Sequence, residues 1–70
     1  MTVNYNKLWK MLIDLNMSKT QLREKAGLST NVLAKLGKNE NVSTEALCKI
    51  CAVLDCQIDD IMELVEVNNN

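Results

Sequence analysis

The stretch Ser18–Leu36, SKTQLREKAGLSTNVLAKL, constrains this chain more than any other, because it carries start and stop signals for two short helices around one glycine. Ser18 and Gln21 have the Ser-x-x-Gln spacing of a capping box, in which each side chain satisfies an open backbone N–H of the other residue, so a helix starts near Lys19. Leu22 and Ala26 fall four apart on one face of it. Gly27 stands where a helix commonly ends in a left-handed residue, a conformation that glycine adopts cheaply. Leu28 is apolar inside the turn, Ser29 can cap a second helix, and Val32, Leu33 and Leu36 give that helix an apolar stripe. On its opposite side Asn31, Lys35 and Lys38 are spaced i, i+4 and i+7, with Thr30 at the start.

The rest of the chain has the pattern of helical support. Met1–Asn4 is a lead-in, with Asn4 a possible cap. Tyr5–Leu15 has Leu8, Met11, Leu12 and Leu15 at helical spacing, and Trp9 and Ile13 on an adjacent strip, so this helix is apolar around more than half its girth. Asn16 and Met17 form a tight connection, and Gly37–Asn41 is a polar loop by composition. Ser43 caps a fourth helix to about Leu54, with Leu47, Ile50, Cys51 and Leu54 as its buried stripe. Asp55-Cys56-Gln57 breaks it, and Ile58, Ile61 and Met62 make a short fifth helix. Glu63–Val67 either continues that helix or runs extended, and Asn68–Asn70 is a frayed tail. With one Trp, one Tyr and no Phe the core is aliphatic, and zero Pro with two Gly leaves little turn material for a β fold. The expectation is an all-α, compact five-helix bundle in one domain over residues 1–70, with the central pair at about 18–36 and a tail at 66–70.

Several classes of function are poorly supported. No apolar run approaches the roughly 18 residues of a membrane span, so no membrane association and a cytoplasmic location are expected. The cysteines at 48, 51 and 56 are odd in number and fit a reducing compartment. Cys48 and Cys51 form a C-x-x-C, but the chain has no His and a closed zinc site wants four ligands, so the thiols are assigned to packing; no metal and no cofactor are expected. Without His there is no general base for a nucleophile, and neither a phosphate-cradling glycine loop nor a paired-acid cleft is visible, so the chain is not expected to be an enzyme.

Helix, short glycine turn and second helix with a polar outer face is the helix-turn-helix layout, whose second helix enters the DNA major groove. The net charge of −1 conceals a division that suits this. Lys7–Lys38 holds seven basic residues against two acidic ones, whereas Asn39–Asn70 sets Lys49 alone against seven acids. Such a molecule can present a positive face to phosphate while its far side stays acidic. By donor geometry Asn31 can pair bidentately with an adenine edge, Lys35 can reach guanine or phosphate, and Thr30 can touch a base or a thymine methyl.

The segment resembles a Cro/repressor-type (XRE-type) helix-turn-helix domain, and the following GKNENVSTEALCKICAVLDCQIDDIMELV resembles a small subfamily in which one domain is nearly the whole protein. The resemblance covers roughly Tyr5–Val65, with Ala26-Gly27-Leu28-Ser29 in the turn and Leu33 and Leu36 at core positions. It implies a lambda-repressor-like fold and sequence-specific binding to double-stranded DNA by a transcriptional regulator, a repressor or autoregulator. It also implies phosphate contacts at Lys19, Thr20 and Gln21 and at Lys38 and Asn39, assisted by the capped helix starts at Ser18, Ser29 and Ser43. Arg23 stands where the family commonly has a small residue, and Lys19 where several members carry a contacting Gln.

One helix in one groove makes few base contacts, so a two-fold homodimer on paired half-sites is expected. Two apolar surfaces can serve it: Trp9 and Ile13 on the first helix, and Leu64, Val65 and Val67 at the C-terminal end, where Val3 and Tyr5 could add a short strand. The alternative is a protein-interaction module on the same scaffold, partnering a toxin or a larger regulator.

Overall fold

The computed structural model describes residues 1–67. It runs β1 (Thr2–Asn4), α1 (Asn6–Asp14), α2 (Lys19–Ala26), α3 (Thr30–Gly37), α4 (Thr44–Leu54), a single 3₁₀ turn (Ile58–Asp60) and β2 (Glu63–Val65). The mostly helical fold expected is found, with the helix count corrected: the described residues hold four α-helices and not five, beside a small two-stranded sheet. The segment expected as a fifth helix makes one turn only. Asp60 Oδ2 accepts from the Gln57 N–H at 2.9 Å and the Ile61 N–H reaches Ile58 O at 3.1 Å, after which the chain straightens to lie beside β1. The strands are antiparallel, with Thr2 opposite Val65, Val3 opposite Leu64 and Asn4 opposite Glu63. The lead-in is therefore a strand, and of the two readings of Glu63–Val67 the extended one holds, over Glu63–Val65. The tail expected at Asn68–Asn70 lies outside the described residues.

The core draws one fully buried side chain from each helix, Leu8, Leu22, Leu36 and Ile50, and closes them with Tyr5 at the N-terminal end and Ile61 after the 3₁₀ turn. Full burial of such side chains contributes about 1.5–3 kcal/mol each, which is why an aliphatic set suffices at this length. Some stripe residues lie further out than expected. Leu15, just past the end of α1, is exposed, and Leu33, Cys51 and Leu54 are half-buried.

All four α-helices end in the same way. A residue with positive φ follows each of them, Asn16 (58°), Gly27 (67°), Asn39 (56°) and Asp55 (52°). The next N–H then folds back to a carbonyl five residues earlier: Met17 to Leu12 at 2.9 Å, Leu28 to Arg23 at 2.9 Å, Glu40 to Lys35 at 2.9 Å and Cys56 to Cys51 at 3.1 Å. This is the Schellman arrangement, which satisfies carbonyls that the helix end leaves open and turns the chain sharply. Four such turns reverse the chain compactly without proline.

Candidate nucleic-acid interface

Local chemistry sets the α2–turn–α3 unit. The capping box is formed, with the Gln21 N–H donating to Ser18 Oγ at 3.1 Å and the Ser18 N–H donating to Gln21 Oε1 at 2.8 Å. Gly27 ends α2 at φ 67°, and a Cβ built there meets nothing within 4 Å, so the demand for glycine comes from the backbone angle and not from space. Ser29 Oγ accepts the Val32 N–H at 3.2 Å and so starts α3. With Leu36 fully buried, α3 is held by one face, and Thr30, Asn31 and Lys35 are all exposed on the rest of it. None of these three makes a side-chain hydrogen bond or ion pair among the described residues. Their donors and acceptors are open to an outside partner.

The residues expected around this helix fall into three groups. At the start of α2, the Lys19 ammonium sits 4.3 Å above the centre of the Trp9 ring, a cation–π contact that holds the positive charge beside the first backbone N–H groups of that helix. Thr20 is exposed next to it, and Gln21, with its carbonyl oxygen in the capping box, keeps its amide NH₂ for an external acceptor. A second group surrounds a cleft of about 250 Å³ where Ser29 and Ser43, the caps of α3 and α4, face Lys49. Ser43 Oγ accepts the Ala46 N–H at 3.1 Å. Lys49 forms an ion pair of 3.5 Å with Glu45 across one helical turn. The third group is the loop after α3: Lys38 is exposed, whereas Asn39 Oδ1 accepts the Tyr5 N–H at 3.1 Å. Asn39 thus secures the loop as well as lying in it.

Two of the participating residues were not expected at this surface, and one of them, Tyr5, lies outside β1 and in the core where a short strand with Val3 was expected. Tyr5 is 1% exposed and its hydroxyl donates to Glu40 O at 2.8 Å, so it clasps the loop that carries Lys38. Burial raises its phenol pKa, an effect that the Val42 backbone opposes. A lone tyrosine between Asn4 and Asn6 gives no local sign of a partner 35 positions away. Lys49 was visible as the sole base of the acidic half, but its place beside two helix starts depends on how α4 packs.

The surfaces expected for dimerisation divide differently from the sequence pattern. Trp9 is half-buried against the core and carries Lys19 on its ring. Ile13 is 76% exposed and borders a groove that also contains Ser18 and Gln21. The first-helix patch is therefore continuous with the start of α2. On β2 and just beyond it, Leu64 and Val67 are exposed and Val65 is half-buried.

A short turn joining a capped helix to a second one with an open polar face is the mark of helix-turn-helix proteins. Residues 7–66 match the Cro/C1-type HTH DNA-binding domain, and the chain belongs to that family. Its fold is similar to the crystal structure of the transcriptional regulator VanUg, with a TM-score of 0.87 and 56% identity over 89% of this chain and 83% of that one. No curated protein sequence matches the chain at a significant level. Among the described residues no helix is long and apolar enough to cross a membrane.

Proposed function

We propose that this protein is a sequence-specific transcriptional regulator, a repressor or autoregulator, that inserts α3 into the major groove of double-stranded DNA. The observation that carries this is the outer face of α3, where Thr30, Asn31 and Lys35 are exposed and make no side-chain hydrogen bond or ion pair among the described residues, on a Cro/C1-type scaffold. Asn31 and Lys35 read base edges and Thr30 adds a contact at the helix start. Lys19, Thr20, Gln21, Lys38 and the N–H groups at Ser18, Ser29 and Ser43 hold the phosphates, with Asn39 in the same loop. The solved relative's description as a transcriptional regulator supports the same reading.

The regulator acts as a two-fold homodimer that pairs half-sites about one helical turn, roughly 34 Å, apart. Ile13 shares its groove with Ser18 and Gln21, and Trp9 lies beneath Lys19, so pairing through α1 would crowd the phosphate-facing side. The β2 end, with Leu64 and Val67 exposed, is the surface that leaves both α3 helices open. A single domain over residues 1–70 fits this arrangement.

Selection from random duplexes, followed by a salt titration on the enriched sequence, tests the proposal. The expected result is a palindromic site and an affinity that falls linearly in log–log form with salt. No retention of DNA at low salt, with stoichiometric capture of a protein partner instead, would establish the interaction-module reading in its place.

A further inference from the structure

The four Schellman turns differ in what they bring together. This arrangement pairs the residues at the two ends of the returning hydrogen bond, Leu12 with Met17, Arg23 with Leu28, Lys35 with Glu40 and, at the end of α4, Cys51 with Cys56. The 3.1 Å bond from the Cys56 N–H to Cys51 O draws these two backbones into the separation, roughly 4.4–6.8 Å between Cα atoms, that a disulfide spans. Cys51 and Cys56 are the two thiols so placed. Both are free and half-buried, and with Cys48, Ala52, Asp55 and Gln57 they line an open cavity of about 420 Å³. Cys48 is a poorer partner for Cys51, since Cβ atoms three apart on a helix stand about 5–6 Å from one another against about 3.8 Å in a disulfide.

We propose that Cys51 and Cys56 form a dithiol site that closes to a disulfide by exchange with a low-molecular-weight disulfide admitted through this cavity. The Cys51 thiolate attacks one sulfur of the small disulfide, forming a mixed disulfide and expelling one small thiolate. The Cys56 thiolate then attacks the Cys51 sulfur and expels the second. The protein loses two protons and two electrons, and the small disulfide is reduced to two thiols. Closure cross-links the last turn of α4 to the residue after its left-handed cap, Asp55, and no residue of the proposed base-reading face lines the cavity.

The full chain carrying Cys48→Ser, fully reduced, is incubated with 2-hydroxyethyl disulfide and followed by intact mass and thiol titration. The expected product has lost both thiols without gaining reagent mass, and a peptide map links residue 51 to residue 56. Closure is at least tenfold faster in the folded chain than in the same chain unfolded by urea. Two persisting free thiols, a reagent adduct on each thiol, or equal folded and unfolded rates would each overturn the proposal, the last because closure would then owe nothing to the cap.

Discussion

The helix-turn-helix and the segment from Asp55 to Val65 both end a helix with the same returning N–H, and they differ in what fixes the chain beyond that turn. Between Ser18 and Leu36 each boundary rests on a partner no more than five residues away: Ser18 with Gln21, Leu28 with Arg23 and Ser29 with Val32. Between Asp55 and Val65 the left-handed position is an aspartate, the helix lasts one turn, and the strand finds its partner at the opposite end of the chain, Val65 against Thr2. The first region is specified locally and leaves a polar face unspent. The second is specified by closure of the whole fold, and it holds four of the chain's nine acidic residues. A DNA-binding block that folds on local rules can vary its outer face freely, because none of its turn chemistry uses those side chains.

Ile61 tests how far this separation goes. It is fully buried and joins the late segment to the core that Leu36 shares from α3. Ile61→Ala and Leu36→Ala are each expected to cost about 2–5 kcal/mol in urea denaturation. A loss below about 1 kcal/mol for Ile61→Ala would show the closing segment to be an appendage and would break the comparison.

On the polar face, Asn31→Ala is expected to relax discrimination at one base pair by about 1–3 kcal/mol, whereas Lys38→Ala weakens binding to all sequences and lowers the salt slope by about one. Duplex selections and salt titrations on both variants measure the two effects. An unchanged motif and salt slope for Asn31→Ala would mean that α3 is oriented otherwise.

What could be seen in the sequence follows the same division. Ser18, Gln21, Gly27, Ser29 and Ser43 announce their roles because capping and the left-handed turn are local, and every one of these caps is formed. The expected fifth helix is cut to one turn because Ile58, Ile61 and Met62 carry helical spacing while the pairing of β2 with β1 takes the chain away. Tertiary pairing overrides a short local pattern. Apolar spacing also could not tell Trp9, held against the core beneath Lys19, from Ile13, which is open to solvent. The exposed polar side of α3 was legible as a pattern in the sequence, but the Tyr5–Asn39–Glu40 clasp behind its loop was not.

The two left-handed caps without an asparagine offer a sharper test. At Gly27 any side chain strains the backbone, so Gly27→Ala is expected to cost about 1–2 kcal/mol although there is room for the methyl group. Asp55 already bears that strain at φ 52°, so Asp55→Gly is expected to be neutral or stabilising by less than about 1 kcal/mol, glycine's greater freedom in the unfolded chain offsetting the relief. Thermal melts of both variants compare them. Opposite signs would confirm that one cap is built for its angle and the other tolerates it.

Tyr5 ties the two halves together through the loop after α3. Its hydroxyl bond to Glu40 O is replaceable in volume by Phe, so Tyr5→Phe is expected to cost about 0.5–1.5 kcal/mol and to loosen the loop that carries Lys38. The phenol also gives a pH signature. Burial raises its pKa above the ordinary 10.0, so the folded chain favours the neutral form more than the unfolded chain does. Its contribution is fully present below about pH 10 and is lost as pH rises through the higher folded-state value. As the sole tyrosine of the chain, it can be titrated by absorbance without interference from another phenol. Stability measured from pH 9 to 11.5 should fall more steeply in the parent than in Tyr5→Phe; parallel curves would mean that the clasp opens before the phenol ionises and that the loop is held from the α3 side alone.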